Sequence, residues 1–255
     1  MNYPASPAPE TRFSDRVENY IRHRPGYPPG VLLRLVETTG LTPDSHVADI
    51  GSGTGISTRF FLEHGCRVSA VEPNPEMRAA AERLLASFPR FTSVDGKAQA
   101  TTLPDHDVDL VIAAQAFHWF ATPATRAEFT RILKPGGHIA LLWNERELDT
   151  TPFLRDYEQL LLTYGTDYAR VRHENTGQEH LDEFFSGPFT LHTFTNRQTF
   201  AFDALKGRLL SSSYTPAEGH PAHEEMIARL HDIHSRHQIN GVAEIDYTTR
   251  LYIGC

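Results

Sequence analysis

One stretch constrains the fold of this chain more than any other: Val47-Ala-Asp-Ile-Gly-Ser-Gly-Thr-Gly55, followed by Ala70-Val-Glu-Pro-Asn-Pro-Glu-Met77. A short apolar run breaks into glycines. An amphipathic stretch, Ile56 to His64, ends at Gly65, and a second apolar run, Val68 to Val71, closes on Glu72. Strand, glycine turn, helix and strand in that order make one βαβ unit. The glycines let the backbone leave the strand sharply and let a ligand lie against bare main chain. Glu72 stands 23 positions after Asp49. Nucleoside-binding α/β folds place there the carboxylate that bonds a ribose hydroxyl pair.

The dinucleotide fingerprint GxGxxG, counted from Gly51, needs a glycine at position 56, where Ile56 stands. The pattern present is Asp-x-Gly-x-Gly-x-Gly. A carboxylate at Asp49 would repel a pyrophosphate on the helix N-terminus and suits a ligand that carries an ammonium group. The stretch resembles motif I and the acidic strand after it in the class I S-adenosylmethionine-dependent methyltransferases. Their cofactor has an amino-acid end, a sulfonium and an adenosine, and no phosphate. The resemblance implies S-adenosyl-L-methionine as cofactor, with Asp49, Gly51, Ser52 and Gly53 in the loop and Glu72, Pro73 and Met77 after the second strand. Asn74 and Pro75 read as the N-cap and first turn of the next helix.

Further motifs follow in order. Tyr20-x-x-x-Arg24-Pro25-x-Tyr27-Pro28 resembles the N-terminal signature of a subset of these enzymes, which implies that Tyr20 and Arg24 stand near the methionine carboxylate. The alternative is a core Tyr20 and a surface Arg24. After a short strand, Phe91 to Val94, the pair Ala98-Gln99 fits the family's adenine-holding position; Asp95 reads equally as a turn residue. The apolar run Asp109 to Ala114 reads as a central parallel strand. It delivers Gln115-Ala-Phe-His-Trp-Phe120 to its carboxyl end, where open α/β sheets form their ligand sites. This hexapeptide resembles the branch that includes enzymes similar to trans-aconitate methyltransferase. It implies a cofactor contact for Gln115 and a substrate pocket with Phe117, His118 and Trp119; His118 serves as a pocket residue or base, and one of the two aromatic rings as core. Thr122-Pro123 starts a helix to Leu133, Lys134 to Gly137 reads as a turn, and His138 to Trp143 as a fifth strand. The resemblance covers roughly residues 13 to 145.

The expected fold is a Rossmann-like, seven-stranded class I methyltransferase sheet, mostly parallel with the last strand antiparallel. Residues 1–11, rich in Pro and Ala, read as a disordered tail, and 12–255 as a single domain with N-terminal lid helices over 12–40. Phe189 to Phe202 and Ile245 to Ile253 alternate as strands. The helical piece between them, 203–240, is too long for a hairpin loop and reads as a substrate-side insertion. Its Ser213 resembles a serine found in related enzymes; simple helix termination explains the serines as well.

Composition narrows the partners. A net charge of −8 disfavours nucleic acid, and Arg12, Arg16, Arg22 and Arg24 read as a solvated helix face. Two cysteines build no disulfide framework or zinc site, so a reduced, cytoplasmic setting is expected. The N-terminus does not read as a signal peptide, and no apolar run reaches membrane-spanning length. His231, His234 and His237 lie three apart on one predicted helix, without an HExxH pattern, and no metal is expected. The reading is methyl transfer to a small-molecule carboxylate or hydroxyl. Its alternative is a non-catalytic cofactor-binding module; a nicotinamide oxidoreductase is disfavoured by Ile56 and Asp49.

Overall fold

The computed structural model describes residues 17–168, 178–185 and 187–255. The expected tail 1–11, together with Arg12 and Arg16, lies outside them. The described residues form a seven-stranded sheet of order β3-β2-β1-β4-β5-β7-β6, mostly parallel with its last strand antiparallel. The strands are β1 (His46–Ile50), β2 (Arg67–Val71), β3 (Phe91–Val94), β4 (Val108–Ala114), β5 (Leu133–Arg146), β6 (Phe189–Phe200) and β7 (Ala243–Gly254). The helices of the described residues are α1 (Val17–His23), α2 (Pro29–Thr39), α3 (Ile56–His64), α4 (Pro75–Leu85), α5 (Pro123–Ile132), α6 (Pro152–Tyr164), α7 (Gln178–Phe185), α8 (Phe202–Leu210) and α9 (His223–His237), with a 3-10 turn at Phe117–Trp119. The chain divides into two compact units. The described residues of the first are 17–25, 145–168 and 196–248; those of the second are 26–144, 178–185, 187–195 and 249–255.

In the second unit, β1 pairs in parallel with β2 and β4, and β4 with β5. The period of two in these strands loads both faces of the sheet. Ala48, Ile50, Val111, Ala113, Ile139, Leu141 and Trp143 pack into one core. Val47, Leu110, Ile112, Ala114, Ala140 and Leu142 pack into the other. Near-continuous apolar runs are what a parallel sheet covered on both faces demands.

Local signals in the sequence set the helix ends. Gly40 and Gly65 close α2 and α3 in the left-handed conformation, at φ +69° and +103°. Asn74 Oδ1 accepts the Met77 N–H at 2.8 Å to start α4, and Thr122 and Thr151 cap α5 and α6 in the same way. One expectation fails: Lys134 to Gly137 is not a break before the fifth strand. Leu133 already pairs with Val108, and pairing resumes at Leu110 with His138, so these four residues bulge out inside β5.

The first unit builds its own core from α6, α8, α9 and β7, around Phe153, Leu160, Leu205, Leu209, Leu230, Ile233 and Ile245. The two helices of the expected insertion are α8 and α9. Asp156 pairs with Arg236 and His237, and the His231 ring lies against Phe202. None of the described residues of α1 is fully buried, yet Arg24 does not sit on a solvated face: its Nη2 donates to Ser211 O at 3.0 Å.

Candidate functional site

The site begins where β1 and β2 end. The Gly51 and Ser52 N–H groups both donate to Val71 O, at 2.9 and 3.3 Å, which ties the two strand tips together. Gly51, Gly53 and Gly55 have φ of +70°, +56° and +87°, a region that costs an L-residue about 1–2 kcal/mol. Their reasons differ. A Cβ on Gly51 would lie 2.7 Å from Ala116 Cβ, and one on Gly55 2.7 Å from Leu85 Cδ1. A Cβ on Gly53 would enter open space. Gly51 is therefore glycine for packing against the loop after β4, whereas Gly53 faces a vacant approach to the main chain.

Glu72 sits at the mouth of that approach, 8% exposed. Its Oε2 accepts the Gly53 N–H and its Oε1 the Asn74 N–H, each at 2.9 Å. Burial raises its pKa, against the pull of those two N–H groups. Each oxygen keeps a further lone pair for an outside donor. Pro73 and the buried Met77 complete the turn into α4, where Arg78 donates to Glu72 O at 2.8 Å and clasps Asp95.

Asp49 lies beneath the loop, fully buried. Its Oδ2 accepts from Ser57 Oγ at 2.7 Å and Thr58 Oγ1 at 2.6 Å, while its Oδ1 has no partner. Burial pushes its pKa up to about 6, moderated by those two hydroxyls. Ser52 Oγ and Thr54 Oγ1 are likewise buried without partners. Buried polar atoms are normally satisfied, so three orphans around one glycine loop mark a place for an outside donor and acceptor. Ser57, Thr58 and Thr54 were missed in the sequence; a Ser-Thr pair in the first turn of the helix after Asp49 was the available signal.

Ala98 is buried and Gln99 exposed on the turn closed between Lys97 and Ala100. That loop is pinned by Thr101, whose N–H and hydroxyl both reach Glu128 Oε1, at 2.8 and 2.5 Å. At the tip of β4, Gln115 adopts φ +60°, rare for a non-glycine residue. Its N–H donates to Leu142 O at 2.8 Å and its side chain to Asn144 O at 3.3 Å. Strain held by such bonds gathers at functional sites. Phe117 is fully buried among Phe120, Trp143 and Phe184, so it is the core ring of the pair. His118 and Trp119 are half-buried, with rings 4.6 Å apart.

The second unit thus gathers the loop, Glu72, Pro73, Met77, Ala98, Gln99 and the Gln115–Trp119 stretch at the carboxyl ends of its strands. Tyr20, Arg24 and Ser213 belong to the first unit. There the Arg24 guanidinium lies 4.8 Å over the Tyr20 ring. Ser213 is half-buried just past α8, whose end is capped by the Ser211 N–H on Gly207 O.

This strand order, with a glycine loop at the first strand tip and an acid at the second, defines the class I methyltransferase fold. Residues 48–141 match the family described as a methyltransferase domain. An uncharacterised methyltransferase-like protein of Schizosaccharomyces pombe is 36% identical over 156 residues, 61% of this chain and 59% of that protein. An uncharacterised methyltransferase of Mycobacterium tuberculosis is 38% identical over 135 residues, 53% of each chain. The chain thus spans little more than half the length of these relatives. A solved structure from Anaeromyxobacter dehalogenans, described as a candidate type II methyltransferase, shares the fold at TM-score 0.67 and 24% identity, covering 91% of this chain and 97% of that one. None of these singles out the trans-aconitate branch. Among the described residues no helix is long and apolar enough to cross a membrane.

Proposed function

We propose that this protein transfers a methyl group from S-adenosyl-L-methionine to a small-molecule acceptor in the cytoplasm. The observation that carries the reading is the loop itself: open space over Gly53, bounded by the buried Glu72 carboxylate and by the unpartnered Asp49 Oδ1, Ser52 Oγ and Thr54 Oγ1. These groups fit a ligand with a hydroxyl pair and an ammonium, and they lack the cations a phosphate would require. Glu72 would hold the ribose hydroxyls and Asp49 Oδ1 would face the ammonium. Pro73, Met77, Ala98 and Gln99 would enclose the base, and Gln115 would hold the amino-acid portion.

When bound, the cofactor supplies a methyl group already activated by its sulfonium. The chain then has to align the acceptor for direct displacement and keep water out. A carboxylate acceptor needs no base; a hydroxyl needs a group that takes its proton. His118 and Trp119, half-buried beside the strand tip, would line the acceptor side, and His118 is the imidazole available for such a proton. The net charge of −8 favours a metabolite over a nucleic acid.

The test is a calorimetric titration with S-adenosylmethionine, S-adenosylhomocysteine and oxidised nicotinamide dinucleotide. Micromolar binding of the first two and none of the third is the expected result. Failure of both adenosyl ligands to bind overturns the reading.

A further inference from the structure

The sheet has two outer edges, and the sequence protects them differently. β3 is four residues long and stands between Arg90 and Asp95. Short, charge-flanked strands keep an edge from recruiting another chain. β6 stands at the other end of the strand order, and none of the described residues adds a strand beyond it. Its part within the second unit is Phe189-Thr-Leu-His-Thr-Phe-Thr195. This run holds no Asp, Glu, Lys, Arg or Pro, in a chain that is 22% charged. Phe, Thr and Leu fill it, and aromatic and β-branched residues favour strand pairing. The charges and prolines that blunt an edge are therefore missing from this one.

Side chains alternate between the two faces of the strand. Phe189 stacks on Phe185, with ring centroids 4.8 Å apart, and Leu191 follows on that face, 43% exposed. Phe194 points to the other face, where α2 covers it: a Cβ on Gly30 would lie 3.0 Å from its ring. His192 shares that face. Burial and then the Arg34 charge lower its pKa, with Glu37 opposing, so both α2 residues stand close by. Gly30, Arg34 and Glu37 thus mark the side of α2 turned to β6. Leu33 lies one turn from Gly30 and one turn from Glu37, and it is 64% exposed. Arg34 and Glu37 pair at 3.0 Å near the surface. Bare strand edge, exposed leucine on either side of it and one charge of each sign form a single patch of the second unit.

That patch is complementary to itself. Two β6 edges that pair antiparallel about a two-fold axis perpendicular to the sheet match main-chain donors with acceptors. The same axis keeps each face on its own side. Leu191 of one copy then lies against odd-numbered residues of the other, among Phe189, Leu191, Thr193 and Thr195. The α2 helices of both copies share the opposite face, where each carries Leu33 toward the junction. Arg34 of one copy can meet Glu37 of the other, and the reverse, so the contact brings together opposite charges. No acidic group of the strand enters it, although each chain carries a net charge of −8. We infer that the Phe189–Thr195 edge of β6, with the adjoining side of α2, is the surface through which two copies of this chain join their sheets as a two-fold dimer. The inference stands or falls independently of the methyl-transfer reading.

Sedimentation equilibrium of the full chain, from about 1 to about 100 μM, tests it. The expected result is a species with the mass of two chains that grows with concentration and stops at two, because a two-fold contact is closed. Leu191→Lys places a charge on the edge, and Leu33→Glu places one on the helix side. Each should weaken dimerisation roughly tenfold or more, while the melting temperature of the dilute, monomeric protein stays at the wild-type value. Should Leu191→Lys not fold, Thr193→Lys on the same face is required to show the same loss. Arg34→Glu and Glu37→Arg, made singly, set like charges against each other across the axis and weaken association; made together in one chain, they restore it. A chain that stays monomeric over the whole range overturns the inference. So does a dimer that survives both leucine variants within about threefold, an assembly that grows beyond two copies, or a double charge reversal that restores nothing.

Discussion

Replacing Glu72 by Ala tests the core of the proposed site. In the free protein it removes the acceptor for two backbone donors, Gly53 N–H and Asn74 N–H, each bonded at 2.9 Å. Leaving a buried N–H unmet costs about 1–3 kcal/mol. Gly53 is open enough for water to replace its bond, and the desolvated carboxylate that raised the pKa of Glu72 is also gone. The net loss of stability is thus about 1–3 kcal/mol, a fall of several degrees in melting temperature for a chain of this size. The cofactor loses more. Two hydroxyl bonds to a carboxylate are worth about 1.5–3 kcal/mol each. Part of that returns when the hydroxyls hydrate, so about 3–4 kcal/mol is lost and affinity falls roughly 100- to 1,000-fold. Calorimetry with S-adenosylhomocysteine reads this directly. A 2′-deoxy analogue closes a double-mutant cycle: it binds the wild type far more weakly than the parent ligand, but binds Glu72→Ala almost as well as the parent does. A folded Glu72→Ala protein with affinity within threefold of wild type, or a cycle with no coupling, would refute the assignment of Glu72 to the ribose.

Other perturbations separate packing from binding. Gly51→Ala should fold poorly, losing more than about 2 kcal/mol, because its Cβ meets Ala116 Cβ at 2.7 Å as well as adopting φ +70°. Gly53→Ala should lose only about 1–2 kcal/mol of stability, the backbone cost alone, yet lose cofactor binding; chemical denaturation and calorimetry on the pair decide it. Asp49, with a pKa raised from 3.8 to about 6 by burial, makes the free protein less stable as pH climbs. The unfolded carboxyl ionises first, so about 3 kcal/mol disappears between roughly pH 4 and 6, and Asp49→Asn should flatten that slope in urea titrations. If Asp49 faces an ammonium, ligand binding at pH 6 also releases a proton, measurable in buffers of different ionisation enthalpy. Glu128 acts in the opposite sense. The Arg131 hydrogen bonds, then the Thr101 bonds, hold its pKa at about 2, so its contribution of up to about 3 kcal/mol is full above pH 4.5 and lost as pH falls toward 2. Glu128→Gln should destabilise the protein at neutral pH and blunt that acid limb, and unchanged denaturation curves would sink the point.

Much of this protein is written locally in its sequence. The β1 glycines, Asp49 and Glu72 are legible because a tight turn, a buried carboxylate and a strand-tip acid each require a residue type at a fixed short spacing. The caps at Gly40, Gly65, Asn74, Thr122 and Thr151 are legible for the same reason, since a helix end is satisfied within a few residues of itself. The alternation of Ala48, Val111 and Ile139 against Val47, Leu110 and Ala140 likewise announces a sheet buried on two faces. Other features depend on contacts distant in the chain. Lys134–Gly137 reads as a turn by composition, and only the pairing of Leu133 with Val108 makes it a bulge. Phe117 and Trp119 are equivalent on paper until Phe184, from a helix some sixty residues later, claims the first for the core. Arg24 belongs to an apparently solvated basic run until Ser211 takes its guanidinium. Arg208 carries no sequence signal: only the folded chain sets Tyr247 and Ser212 against its guanidinium. Spacing along the chain records short-range geometry, whereas burial and charge balance are properties of neighbours that only the folded backbone brings together.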